Sequence, residues 1–230
     1  MGNMRLLQSL LLIVALGLPA TVAAASATQI VPTPVPRPAR AVPATPAKPS
    51  TPAPAPASAQ KSQGSIYFLR GLLNVFSRGM DRLSGQLEAK GIRSRVTNYT
   101  HWKEFAVLLA SQYRTDKSLT PVIIVGHSLG ADAAINMGNY LASNGVPVRL
   151  IVAFDAVDGG SPVGAGIQEV INFYKSDGVG RVIKASSSFK GKLVNIDVAD
   201  RKGIDHLNIE KDETLHEEVI AKVTEILNGQ

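Results

Sequence analysis

The sequence predicts an α/β fold, an open and mostly parallel sheet of about six strands with helices on both faces. Three observations lead there. Apolar segments with strand and helix periodicity alternate from residue 64 to the end of the chain. The segments Pro121–Val125 and Val148–Phe154 are continuous apolar runs, as in strands buried on both faces. The linking segments are long enough for helical crossovers, which favour parallel pairing.

The elements follow in order. Ile66–Leu69 is a short apolar strand. Arg78–Lys90 has Met80, Leu83 and Leu87 at helical spacing, and Gly91 stops it. Ile92–Tyr99 reads as a strand. His101–Tyr113 is a second helix, with Trp102, Phe105, Leu108 and Leu109 on one side. After the strand Pro121–Val125, Leu129–Ser143 is helical, and Asn144-Gly145 ends it. Val148–Phe154, Val170–Tyr174 and Leu193–Val198 complete the strands. Leu215–Leu227 closes the domain as a helix whose stripe is Leu215, Val219, Ile220, Val223, Ile226 and Leu227, with Thr214 and Glu217 as a capping box. The segment from Asp155 to Val170 carries Gly159, Gly160, Gly164 and Gly166. It is too short and too rich in glycine for a helical cap, and is expected to be loosely held.

The first 63 residues have another character. Arg5, the apolar run Leu6–Leu18 and the small residues up to Ala27 predict a signal peptide with a small-x-small cleavage site, or an N-terminal anchor if uncleaved. Ten of the 14 prolines fall between Pro32 and Pro56, so residues 28–63 are expected to form an extended, disordered tether. The expected location is periplasmic or secreted, or at the membrane through that N-terminal segment. Residues 1–60 contain four of the 24 basic residues and no acid; the remainder has 20 basic against 18 acidic residues. The net charge of +6 therefore sits mostly outside the folded part and argues against a nucleic-acid partner. The absence of cysteine excludes disulfides, thiolate catalysis and thiolate metal sites.

The chemistry concentrates in Gly126-His-Ser-Leu-Gly130. This Gly-x-Ser-x-Gly follows a buried strand and opens a helix, the setting of a nucleophile elbow. The turn is tight, so a side chain at Gly126 or Gly130 would collide with its neighbours. Ser128 then sits beside a helix N-terminus, where the Leu129 N–H can receive a developing oxyanion.

A serine hydroxyl needs a base. His127 lies within the elbow, with its ring expected to point away from the reaction centre. His101 starts a helix and reads as structural. His216 is expected on the solvated side of the last helix. His206, in the loop Gly203-Ile-Asp-His206-Leu-Asn at the carboxyl edge of the sheet, is the candidate base. The orienting carboxylate follows the strand Val148–Phe154, as Asp155 or Asp158, or follows Val170–Tyr174, as Asp177. Asp155 is preferred because its strand holds it rigidly, with Asp177 as second choice. Asp205 adjoins His206, where neighbouring side chains rarely meet in the needed geometry. Leu72, or Gly71, could supply a second oxyanion N–H.

With Gly126-His-Ser-Leu-Gly130, Phe154-Asp-Ala-Val157, Asp205-His206 and the Arg70-Gly71 loop, residues 65–228 resemble the α/β-hydrolase superfamily, particularly its small bacterial lipase- or thioesterase-like members. Residues 64–230 leave little length for a separate lid, so a lidless minimal form is expected. The resemblance implies transfer of an acyl group to water through acyl-Ser128. It implies no metal or organic cofactor, and a small acyl ester or thioester as substrate. Larger members begin with two further strands, which the proline-rich segment cannot supply. Some lipases place the acid as Asp155 stands here, and most superfamily members place it as Asp177 stands. A non-catalytic binding module on the same fold and an acyltransferase with the same triad are the alternative readings.

Overall fold

The computed structural model describes residues 64–72 and 77–229. The expected signal and tether lie outside the described residues. Six strands form one sheet: β1 (Ser65–Arg70), β2 (Arg95–Asn98), β3 (Val122–His127), β4 (Val148–Phe154), β5 (Glu169–Tyr174) and β6 (Lys192–Asp197). All pairs are parallel, in the order β2-β1-β3-β4-β5-β6. From β1 the chain first builds outward to β2 and then reverses through β3 to β6. Ligand crevices of open α/β sheets form at the carboxyl ends of strands flanking such a reversal.

The side chains of the central strands alternate between two cores. Ile123 and Val125 of β3, with Leu150, Val152 and Phe154 of β4, face α1 (Gly79–Glu88) and α4 (Glu213–Asn228). Val122, Ile124, Ile151 and Ala153 face the opposite core, which contains α2 (Trp102–Tyr113) and α3 (Leu129–Ser143). The centre of the sheet is therefore buried on both sides, which is why its strands read as unbroken apolar runs.

Several details depart from the expectations. Alternation of strand and helix is not strict: the connections β4–β5 and β5–β6 contain no helix. The second strand is only four residues long, starting at Arg95 rather than Ile92. In α2 the buried positions are Ala106, Leu109 and Ala110, while Leu108 is exposed. The last helix is capped by Asp212, whose side chain accepts from the Leu215 N–H at 3.0 Å, so Thr214 and Glu217 do not cap it. The glycine-rich stretch after β4 is pinned to the β5–β6 connection. Arg181 N–H donates to the Ala156 carbonyl at 2.8 Å, Val163 N–H to that of Lys184 at 2.8 Å, and Ser186 N–H to that of Val163 at 2.9 Å. It forms no helical cap.

Candidate active site

The turn between β3 and α3 presents Ser128 with φ 58° and ψ −127°, a conformation non-glycine residues rarely adopt. Close approach explains the flanking glycines. A Cβ at Gly126 would lie 2.1 Å from the Gly130 carbonyl oxygen, and one at Gly130 would lie 2.1 Å from that of Leu69. The Ser128 N–H is held by the Phe154 carbonyl at 2.9 Å, which ties the turn to the end of β4.

Asp155 follows immediately on β4 and also has positive φ, 53°. Its N–H donates to the Phe173 carbonyl at 2.7 Å. The side chain is fully buried and both oxygens are engaged. Oδ1 accepts the Lys175 N–H at 2.9 Å, and Oδ2 lies 2.6 Å from His206 Nδ1. Gly180 allows this placement, since a Cβ there would stand 1.8 Å from Oδ1.

His206 reaches the sheet from the loop between β6 and α4. Asp205 shapes that loop rather than the imidazole: its side chain accepts the Leu207 N–H at 2.8 Å, and its carbonyl accepts that of Ile209 at 2.9 Å. The ring is mostly buried, and its Nε2 is 3.0 Å from Ser128 Oγ. The partners fix the hydrogens. An ionised carboxylate only accepts, so Nδ1 carries the proton and Nε2 is free to accept from the serine hydroxyl.

The structure thus brings Ser128, His206 and Asp155 into one hydrogen-bonded line. It does not bring Asp177 there: that side chain is 61% exposed and paired with Lys175 Nζ at 2.5 Å. Asp158 is exposed, and its N–H donates to Asp132 Oδ2 at 3.2 Å. Leu129 is the first residue of α3, where a backbone N–H has no acceptor within its own helix. Of the two candidates after β1, Gly71 is committed, because its N–H donates to Ser77 Oγ at 2.9 Å. Leu72 follows it and is half-buried.

The other histidines lie elsewhere. His101 is exposed, with Nδ1 3.3 Å from Glu104. His216 is fully buried, correcting the expectation that it faces solvent. Its Nδ1 is 2.8 Å from Gln86 Oε1, its Nε2 is 2.7 Å from the Glu210 carbonyl, and burial lowers its basicity. His127 is buried behind the elbow. Its Nδ1 lies 2.8 Å from Ser77 Oγ and its Nε2 2.8 Å from the His206 carbonyl oxygen. Burial pushes its pKa down to about 3, helped by the neighbouring His206.

Two residues beside the line carried no sequence signal. Ser77 links the β1 loop to His127. Asp132, in the first turn of α3, accepts the N–H groups of Val157 and Asp158 at 3.3 and 3.2 Å and so braces the turn after Asp155. Burial raises its pKa to about 6.

No family model and no curated protein matches the chain. Solved structures with a similar course include a protein described as a hydrolase of the alpha/beta superfamily from Xanthomonas campestris pv. campestris. It has 15% identity and a TM-score of 0.39, with 69% of this chain and 99% of that one covered. Human thioesterase 2 has 12% identity and a TM-score of 0.44, covering 70% and 96%. An acetylxylan esterase has 16% identity and a TM-score of 0.43, covering 72% and 99%. A six-stranded parallel sheet in the order β2-β1-β3-β4-β5-β6, with a strained Gly-x-Ser-x-Gly turn between its third strand and the following helix, gives this chain the α/β-hydrolase fold.

Proposed function

We propose that the protein is a serine hydrolase cleaving a small carboxylic ester or thioester through an acyl-Ser128 intermediate. The observation that carries the reading is the line Ser128 Oγ–His206 Nε2, His206 Nδ1–Asp155 Oδ2, at 3.0 and 2.6 Å. Ser128 Oγ attacks the substrate carbonyl carbon while its proton passes to His206 Nε2. Asp155 holds the ring in the accepting tautomer and stabilises the imidazolium. The tetrahedral oxyanion is received by the N–H groups of Leu129 and Leu72. The bond to the leaving group then breaks, and His206 returns the proton to the departing oxygen or sulfur. Water repeats the sequence: its proton goes to His206, its oxygen attacks the acyl carbon, and Ser128 leaves with that proton as the acid product forms.

In this reading residues 1–27 serve as export signal or membrane anchor and residues 28–63 as a tether, so the enzyme works outside the cytoplasm. Support comes from the apolar run, the small residues after it and the clustered prolines. A chain starting at Lys61 should keep its turnover and a single cooperative unfolding transition; loss of either contradicts the boundary.

A panel of short and long acyl esters and thioesters tests the activity. Ser128→Ala should abolish hydrolysis while leaving the unfolding transition in place, since alanine fits the turn. Unchanged turnover in a folded variant would sink the mechanism.

A further inference from the structure

Two segments that carry the proposed chemistry approach the Ser128 turn from different parts of the chain. One is the loop after β1, with Gly71 and Leu72. The other is the loop after β6, with His206. The imidazole of His127, 1% exposed, is hydrogen-bonded to the carbonyl of His206 and to Ser77 Oγ, which in turn meets the Gly71 N–H.

The directions of these bonds follow from the partners. The His206 carbonyl can only accept, so His127 Nε2 carries the hydrogen and donates to it at 2.8 Å. Nδ1 is then an acceptor and takes the Ser77 hydroxyl hydrogen at 2.8 Å. The Ser77 oxygen in turn accepts the Gly71 N–H at 2.9 Å. The chain therefore runs Gly71 N–H to Ser77 Oγ–H to His127 Nδ1, and from His127 Nε2–H to the carbonyl of His206. The residue at its far end is the proposed base, and the residue at its near end precedes the proposed oxyanion donor Leu72. His127 itself precedes Ser128. Burial and the neighbouring His206 both disfavour the charged form of this ring, so a proton gained by His206 does not reverse the bond directions.

We propose that His127 is a positioning residue, whose ring sets the Nε2–Oγ separation between His206 and Ser128 and, through Ser77, holds Gly71 in register with both. The inference rests on the serine-hydrolase reading and deepens it. His127 touches no reacting atom. Its effect passes through the backbone of His206 on one side and through Ser77 on the other. Bound geometry of this kind matters steeply, since a misplacement of about 1 Å costs about 10²-fold in rate.

Two amide substitutions separate the arms. The amide nitrogen of glutamine falls near the imidazole Nε2 position, whereas the asparagine amide reaches only as far as Nδ1. His127→Gln keeps a donor for the His206 carbonyl, and His127→Asn does not. A role limited to filling the site would follow side-chain size, so His127→Leu, close to glutamine in volume and without a donor, would then equal His127→Gln and overturn the proposal. The experiment uses the full chain with p-nitrophenyl acetate as substrate. A second readout is the low-field resonance of the His206 Nδ1 proton in 15N-histidine-labelled protein. His127→Gln should stay within about fivefold of wild-type kcat, the kinetic equivalent of one neutral hydrogen bond, with the resonance retained. His127→Asn should lose about 10²-fold in kcat with KM little changed, and its resonance should weaken or move. Ser77→Ala should lose about fivefold in kcat with the resonance unchanged, because only the β1 loop is released. Equal behaviour of the glutamine and asparagine variants, or an unmoved resonance in His127→Asn, overturns the proposal. A Ser77→Ala rate equal to wild type overturns the β1-loop arm. If the wild type does not hydrolyse the ester, the serine-hydrolase reading fails. The resonance in the two amide variants then still decides whether His127 positions His206.

Discussion

The turns after β4 and after β5 each carry an aspartate, and they treat it in opposite ways. Asp155 is fully buried, has positive φ and has both oxygens committed, one to the Lys175 N–H and one to His206. Asp177 stands two residues beyond Lys175 in a surface turn, 61% exposed and paired with that lysine. Yet the turn after β5 is not idle. It supplies the N–H that holds Asp155 Oδ1, and the connection that follows it supplies Gly180, the space beside that oxygen. One turn contributes a side chain and the other contributes backbone. Which aspartate can orient the imidazole follows from the backbone beneath it.

The largest expected effect separates the two acids directly. Asp155→Asn should lower kcat by about 10⁴-fold, because an amide can force the wrong imidazole tautomer. Asp177→Asn should leave kcat nearly unchanged, since an exposed ion pair contributes about 1 kcal/mol at most. Kinetics on the two variants with one ester check this, and reversal of the order would break the comparison.

Gly180→Ala tests the backbone contribution. Its methyl group would meet Asp155 Oδ1, so the carboxylate or the connection must move. A loss of about 10²-fold in kcat is expected, with the overall fold retained by circular dichroism. A wild-type rate would mean that the connection after β5 gives the acid no support.

Glu210 extends the comparison to a buried carboxylate whose Oε1 meets the Gly79 N–H and Lys211 while its other oxygen is left over. It is fully buried, its Oε2 has no hydrogen-bond partner among the described residues, and burial raises its pKa to about 7. The ordinary glutamate value is lower, so between about pH 4.5 and 7 the folded state holds more protons than the unfolded state. The stability associated with this proton is present below the unfolded pKa and is lost as pH rises through about 7. Glu210→Gln should flatten that decline by about 1–3 kcal/mol, measured as unfolding free energy from pH 5 to 8. A decline as steep as in wild type would contradict it.

The smallest effect concerns the stretch after Asp155, which is pinned by hydrogen bonds and builds no cap. An uncapped site buries little acyl chain. Each added methylene should then contribute less than the ~0.8 kcal/mol of full burial, and kcat/KM should flatten beyond short esters. A steep rise with chain length, or a rate jump at micelle formation, would reveal an apolar tunnel.

Much of the fold was legible because periodicity survives in the centre of the sheet. The bounds of α3 and β4 coincide with the apolar patterns read from sequence. At the edge the pattern weakens: β2 is only half-buried, and its ends do not stand out among polar neighbours. The position of Ser128 was readable from spacing. That of His206 was readable from its place between the last strand and helix. The preference for Asp155 came from its proximity to a strand end, but the positive φ that aims it depends on long-range packing. His216 departs from its expected solvent-facing place for a related reason. It lies next to Leu215 and three residues before Val219, on the buried side of the helix, where Gln86 and the Glu210 carbonyl satisfy its ring nitrogens. The Ser77–His127–His206 chain spans partners 50 and 79 residues apart, beyond any local pattern.

In the proposed mechanism Ser128 becomes covalently acylated because His206 and Asp155 activate it. Intact-protein and peptide mass spectrometry after treatment with a serine-reactive phosphonate test it most directly. The expected result is a single adduct on the peptide containing Ser128, absent in Ser128→Ala and formed far more slowly in Asp155→Asn. No adduct on the folded wild type, an adduct on another residue, or equal labelling of the Asp155→Asn variant would contradict the account.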